Sequence, residues 1–221
     1  HSTTPTITFA TVICNEPAVA TGEVIYELAQ QLSWPLNLEA KKFIAIAILS
    51  DSLGLTSEGT TARSIHIIAE VVDSGVSLAA IENARRETMR REQELVHYKG
   101  RLLQRVEFHD NNRLAIITIP WEEIEKFSPL YNPPMLVIDD MRLAKGTDVA
   151  IAFKTYPDGK ITGKIRANYG KGIAADLAEH FGGGGHSYAS GFKLQGRRPF
   201  EDVKNEVIQV ASRLLDELEK K

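Results

Sequence analysis

Four consecutive glycines at positions 182–185, followed directly by His186, form the most unusual stretch of the chain. Glycine loses more backbone freedom on folding than other residues, so such a run indicates φ > 0 or close approach by another group. Successive N–H groups in a loop without side chains can converge on an anion, and the imidazole adds a donor. The run therefore fits a phosphate-binding pocket built from Gly183, Gly184, Gly185 and His186. A flexible turn between a helix and a strand explains the same glycines.

Two further side chains could carry chemistry. Arg166 ends a predicted strand shortly before the glycine run, and a guanidinium can bind phosphate through two parallel hydrogen bonds. Asp51 follows the apolar block 43–49, at the rim of a buried element, where metal ligands and catalytic acids are often found. The alternatives are an ordinary exposed charge for Arg166 and a helix or turn cap for Asp51, whose neighbours Ser50 and Ser52 are also capping types.

The elements that must position these residues fall into two halves. In the first half, apolar residues repeat at helical spacing over 20–32, and a further helix runs through 65–72. The apolar block 43–49 is either helical or a buried strand. The densely charged pattern from 78 to about 108 predicts one long helix, broken near Gly100 if anywhere, that connects the halves.

The second half shows strand and helix signals in turn. The predicted strands cover 114–119, 135–139, 148–156, 160–167 and 190–194. The predicted helices cover 121–127, 172–180 and 199–220. Pro157-Asp158-Gly159 is a hairpin turn signal between two alternating runs. This half is therefore expected to be an α+β domain with a mainly antiparallel sheet.

Composition and charge narrow the class of protein. The 221 residues are 43% hydrophobic and 25% charged, with a formal net charge of −3, which is ordinary for a globular chain of one or two domains. A broad basic surface and an apolar run of roughly 20 residues are both missing from the sequence. We therefore expect a soluble, cytoplasmic protein that binds neither duplex DNA nor a membrane. The single cysteine, Cys14, cannot form an internal disulfide.

Taken together, the motifs resemble the DHH phosphoesterase superfamily, in its branch of nano-RNases and pAp phosphatases. In that family an arginine-bearing strand, a short helix, a GGGH loop and a Gly-Phe strand bind the substrate. The corresponding residues here are Arg166, the glycine run with His186, and Gly191-Phe192. The stretch 45–54 resembles the family's fourth motif, so the resemblance implies that Asp51 is a metal ligand.

The resemblance also implies an incomplete catalytic lobe. The family's first two acidic motifs, and the Asp and first His of its Asp-His-His signature, would precede residue 1. By its distance from the helix at 20–32, His1 resembles the last signature histidine, which lies near the scissile phosphate; a purification-tag residue is the alternative. Residues 1–77 are then the rest of the DHH catalytic domain, 78–110 the connecting helix and 111–221 the DHH-associated C-terminal substrate-binding domain.

The chemistry implied by the resemblance is that of a two-manganese phosphoesterase acting in a cleft between the lobes. Its substrates would be short single-stranded oligoribonucleotides and nucleoside 3′,5′-bisphosphates. With Asp51 as its one motif-derived carboxylate, the chain is expected to supply the substrate-binding part and to have little activity alone. The alternatives are a non-catalytic nucleotide-binding module, a RecJ-like single-strand exonuclease and a cyclic-dinucleotide phosphodiesterase. The sequence leaves the oligomeric state open, a homodimer included.

Overall fold

A computed structural model describes residue 9, residues 17–196 and residues 198–220, so His1 and Cys14 lie outside the described residues. The chain divides into two compact units between Arg90 and Arg91. The described part of unit 1 contains helices α1 (Thr21–Gln31), α2 (Leu38–Asp51), α3 (Ala62–Asp73) and α4 (Leu78–Met89).

Unit 1 has a small apolar core between α1, α2 and α3. Ile44, Ile48, Ile67 and Val71 are among its buried residues. Helices α1 and α2 approach closely at Gly22, where a β-carbon would lie 2.8 Å from the Cβ of the neighbouring helix. The apolar block 43–49 thus lies within a helix, and of the two alternatives left open by the sequence the helical one is correct.

Glu23 is buried at the start of α1, which the helical pattern does not predict. Its Oε2 accepts hydrogen bonds from the Val19 N–H (3.1 Å) and the Ser64 hydroxyl (3.2 Å). The Arg63 Nε lies 3.4 Å from Oε1. Ser64 also forms a reciprocal cap with Thr61 at the start of α3. A buried carboxylate needs such partners, and these join the first turns of α1 and α3.

Unit 2 is built on a six-stranded sheet in the described residues, and the predicted fold class with a mainly antiparallel sheet is confirmed. The strands are β1 (Glu107–His109), β2 (Leu114–Ile119), β3 (Val149–Thr155), β4 (Ile161–Ala167), β5 (Gly184–His186) and β6 (Ala189–Leu194). The helices are α5 (Gln93–Gln104), α6 (Trp121–Phe127), α7 (Pro134–Arg142), α8 (Ala174–His180) and α9 (Phe200–Glu219). The strand order is β1-β2-β3-β4-β6-β5, and β2 and β3 are parallel.

Each face of the sheet carries its own core because side chains alternate along every strand. One face packs against α8 and α9, and Ile151, Phe153 and Val207 lie in that core. The opposite face packs against α5, α6 and α7, and Ile117, Ala152 and Val137 lie there. This second face also carries the even-numbered residues of β4, which include Arg166.

The segment from 78 to 108 is two helices and not the single predicted helix. The break falls at 90–92, where Arg90 has extended backbone angles (φ −59°, ψ 142°), while Gly100 lies within α5. Helix α4 has no buried residue, whereas α5 buries Leu95, Tyr98 and Leu102 in the core of unit 2. Charged residues at the break offer no apolar anchor, so the two helices follow different packing surfaces.

The strand predicted at 135–139 is wrong, because these residues belong to α7. Pro134 occupies the first helical position, where its missing N–H and fixed φ favour a helix. The apolar run looks continuous because Leu136, Val137 and Ile138 are all buried. Periodicity alone cannot distinguish such a short buried helix from a strand.

The last helix of unit 2 is joined to its first strand, which the sequence did not predict. Lys204 of α9 donates from Nζ to both carboxylate oxygens of Glu107 in β1, at 2.7 and 2.8 Å. These hydrogen bonds lower the pKa of the Glu107 carboxyl.

Among the described helices, no single one is long and apolar enough to cross a membrane, and α3 and α4 pass that test only as a pair bent by 101°.

The glycine run ends one helix and begins a strand. Gly182 has a φ of +71° and follows α8; its N–H donates to the Glu179 carbonyl, and the next N–H donates to the Ala178 carbonyl. This is the usual left-handed end of an α-helix, for which glycine is preferred. The following residues form β5, which pairs antiparallel with β6.

The remaining glycines differ in how much space surrounds them. A β-carbon at Gly183 would lie 2.3 Å from the Gly191 carbonyl oxygen. At Gly185, φ is +146° and a β-carbon would lie 2.6 Å from the Cα of Ser190. At Gly184, no atom of the described residues lies within 4 Å of the same position. Tight strand packing therefore requires glycine at 183 and 185 but not at 184.

We expect Gly185→Ala to lower the free energy of unfolding by about 1–3 kcal/mol, because the new methyl group meets backbone and the φ disfavours any side chain. Gly184→Ala is the matched control and should change it by less than about 0.5 kcal/mol. Circular dichroism melts of both variants check this. Equal melting temperatures for the two would contradict the assigned roles.

Candidate functional site

The register of β4, β6 and β5 brings several predicted site residues onto one face of the sheet. Arg166 lies opposite Ala189, and Ala189 lies opposite His186. In the next row, Lys164 lies opposite Gly191, which lies opposite Gly184. Neighbouring strands are about 4.8 Å apart, so the Cα atoms of Arg166 and His186, which are two strands apart, are separated by about 10 Å.

Between Arg166 and His186, this face of the sheet has almost no side chains. We call Ala189, Gly191 and Gly184 the small-residue floor. Its one β-carbon is that of Ala189, and the space above Gly184 is open. The floor therefore leaves room for a flat or extended ligand between Arg166 and His186.

Arg166 and His186 are both available to a ligand. The Arg166 Nη1 donates to the Ile165 carbonyl oxygen at 2.9 Å, and the guanidinium has no ion pair within the described residues. The imidazole of His186 is exposed and makes no hydrogen bond in the same part of the chain. A guanidinium and an imidazole on the two sides of the small-residue floor suit an anionic group such as a phosphate.

A cavity of about 470 Å³ opens beside the floor, over β4 and β6. Lys154 and Lys164 are among its lining residues, together with Asn132 at the approach to α7. Neither lysine was predicted from the sequence. The spacing of Lys164 and Arg166 at i and i+2 was a usable signal, because alternate residues of a strand share a face. Lys154 reaches this face only through strand register, which the sequence does not show.

Asp51 lies in unit 1 as the last residue of α2. Its carboxylate is exposed and makes no hydrogen bond or ion pair with the described residues. Ser52 is the C-cap and is fully buried, and its Oγ accepts the Leu55 N–H at 2.8 Å. The chain then reverses through positive φ angles at 53, 54 and 55. The capping role considered for Asp51 is therefore performed by Ser52. The assignment of Asp51 as a metal ligand stays a prediction.

The described residues do not fit a two-manganese site on their own. Over residues 17–196 and 198–220, no group of three or more His, Cys, Asp or Glu side chains is placed to hold a metal ion. Asp51 would contribute a single oxygen ligand group, whereas a metal pair needs several carboxylate or imidazole ligands. His1, the predicted catalytic histidine, lies outside the described part of the chain.

Comparison with known proteins identifies distant relatives, although no family model matches the chain. The chain is 26% identical over 184 residues to the A-adding tRNA nucleotidyltransferase of Aquifex aeolicus, covering 81% of this chain and 21% of that protein. It is 25% identical over 181 residues to the bifunctional oligoribonuclease and PAP phosphatase NrnA of Bacillus subtilis, covering 80% of this chain and 55% of NrnA. The chain thus spans about half or less of the length of these two curated relatives.

A solved structure shares the fold. The exopolyphosphatase-related protein of Bacteroides fragilis superposes with a TM-score of 0.76 at 21% identity, covering 95% of this chain and 62% of that one. The similarity to NrnA and this common fold confirm the resemblance predicted from the motifs. In sequence and in fold, the chain therefore resembles the DHH superfamily of phosphoesterases.

Proposed function

We propose that this protein acts in the hydrolysis of short oligoribonucleotides from an end and of adenosine 3′,5′-bisphosphate, with unit 2 binding the terminal nucleotide. The observation that carries the proposal is the small-residue floor, which has open space above Gly184 and lies between Arg166 and His186, two donors without acidic partners in the described residues. NrnA, whose name describes both activities, supports the choice of substrates.

The chemistry assigned to unit 2 is binding and orientation. The Arg166 fork is suited to two oxygens of one phosphate, and His186 donates from the opposite edge. The space above Gly184 lets the sugar-phosphate backbone approach β5 closely. Short single-stranded ends fit such a site better than a duplex, because the contacts come from one narrow sheet face.

Manganese dependence is part of the proposal and is supported by the family resemblance. Carboxylate and imidazole ligands suit Mn²⁺, which would polarise the phosphate and activate a water molecule when bound. Asp51 is the residue of unit 1 that we assign to this metal. Its exposed carboxylate, with no partner in the described residues, is available for coordination.

The first test is nucleotide binding. We expect His186→Ala to weaken binding of adenosine 3′,5′-bisphosphate by about 1.5–3 kcal/mol, because it removes a hydrogen bond to a charged group. The melting temperature should not change, since His186 is exposed. His97→Ala, an exposed histidine of α5, is the matched control. Isothermal titration calorimetry measures the affinities. Equal affinities for both variants and the wild type would place the nucleotide elsewhere.

The second test concerns Asp51. In the complete enzyme, Asp51→Asn should abolish manganese-dependent hydrolysis of the bisphosphate and remove Mn²⁺-induced NMR line broadening near the end of α2, because the amide is a much weaker metal ligand. The fold should be retained, since the side chain makes no hydrogen bond in the described part. Asp73→Asn, at the end of α3, is the control. Unchanged turnover and broadening in a folded Asp51 variant would exclude it as a ligand.

A further inference from the structure

Two lysines on the cavity beside the small-residue floor are close neighbours. Lys154 of β3 lies opposite Thr162 of β4, and Lys164 follows two residues later on the same face. Such diagonal positions on paired strands are about 7–8 Å apart. Both side chains line the cavity of about 470 Å³. Lys193, also opposite Thr162, is exposed at the same cavity.

Each of the two ammonium groups has one hydrogen-bond partner among the described residues, and neither partner is charged. The Lys154 Nζ donates to the amide oxygen of Asn132 at 2.6 Å, and the Lys164 Nζ lies 3.0 Å from the thioether sulfur of Met135. A thioether is a poor acceptor, and an ammonium group has three donors to satisfy. Neither lysine forms an ion pair with any described residue. Asp139, the nearby acid, is paired with Arg142 at 2.9 Å.

The local environment disfavours both charges. Burial lowers the pKa of Lys154, and the neighbouring Lys164 lowers it further. Burial also lowers the pKa of Lys164, as does Arg166, although Asp139 opposes this. An anion bound between these cations would reverse the repulsion and supply the missing acceptors. The arrangement is therefore poorly satisfied in the free protein and would be better satisfied with a ligand.

We propose that Lys154 and Lys164 bind a second phosphate of the substrate, in addition to the phosphate held by Arg166 and His186. This inference rests on the proposed function and assigns residues to the second phosphate of the bisphosphate substrate. Thr162, which lies opposite Lys154, is four positions from Arg166 along β4, a distance of about 13 Å. The cavity volume is within the range of small-molecule sites, roughly 300–1,000 Å³.

The experiment compares three ligands that differ only in their phosphates. Calorimetric titrations of the full chain use adenosine 3′,5′-bisphosphate, adenosine 5′-monophosphate and adenosine 3′-monophosphate. We expect the wild type to bind the bisphosphate about tenfold more tightly than either monophosphate, because its second phosphate gains hydrogen bonds to the charged lysines.

Lys154→Gln and Lys164→Gln should each remove most of that preference. At least one monophosphate, the one whose phosphate lies by Arg166, should keep its affinity within about twofold, because its contacts are unchanged. Lys164→Arg should retain the preference. Lys145→Gln removes an exposed lysine outside the cavity lining and should bind all three ligands like the wild type. Thermal melts confirm that each variant is folded.

Other outcomes would overturn the inference in distinguishable ways. Wild-type binding of all three ligands with equal affinity, or unchanged preference in both glutamine variants, would remove the lysine site and leave the proposed function standing. Equal loss of affinity for all three ligands in those variants would show a general electrostatic effect and not a second phosphate site. Failure of the wild type to bind any of the three would overturn the proposed nucleotide binding together with the inference.

Discussion

Direct backbone contact between β5 and β6 is the constraint on which the candidate site depends. Side chains at 183 and 185 would collide with β6 at 2.3 and 2.6 Å, so the strands can pair this closely only because both residues are glycine. The pairing fixes His186 opposite Ala189 and therefore on the same face as Arg166. In a mobile loop the histidine would have no fixed distance from the guanidinium. The glycines thus position the site and also leave it open.

The positive character of this face is local and does not appear in the net charge of −3. The acids of unit 2 are largely engaged elsewhere. Arg113 binds Asp216 at 2.7 Å, and Lys171 binds Glu219 at 2.8 Å. Arg166, Lys164 and Lys154 share a face of the sheet and form no ion pair with any described residue. Amino-acid composition cannot show which charges are paired.

The sequence predicted those turns and helices that are determined by residues close together in the chain. The Pro157-Asp158-Gly159 turn and the last helix were correct, because turn chemistry and a long amphipathic period are sequence properties. Helix α7 was mistaken for a strand, because a helix that is buried on nearly all sides does not show the alternation of apolar and polar residues that is typical of an amphipathic helix. The glycine run was expected as a loop or turn, since only strand pairing shows that it forms β5. Glu23 and Lys154 were missed because their partners are distant in sequence.

The ion pair between Lys204 and Glu107 has a consequence for how unit 2 is made. The two residues are 97 positions apart, and the helix that carries Lys204 also supplies Val203, Val207 and Leu215 to one core of the sheet. Leu114 and Ile116 of β2 therefore cannot complete their burial until that helix has been synthesised. During translation, this face of the sheet stays partly exposed, and its core is completed only when the final helix emerges.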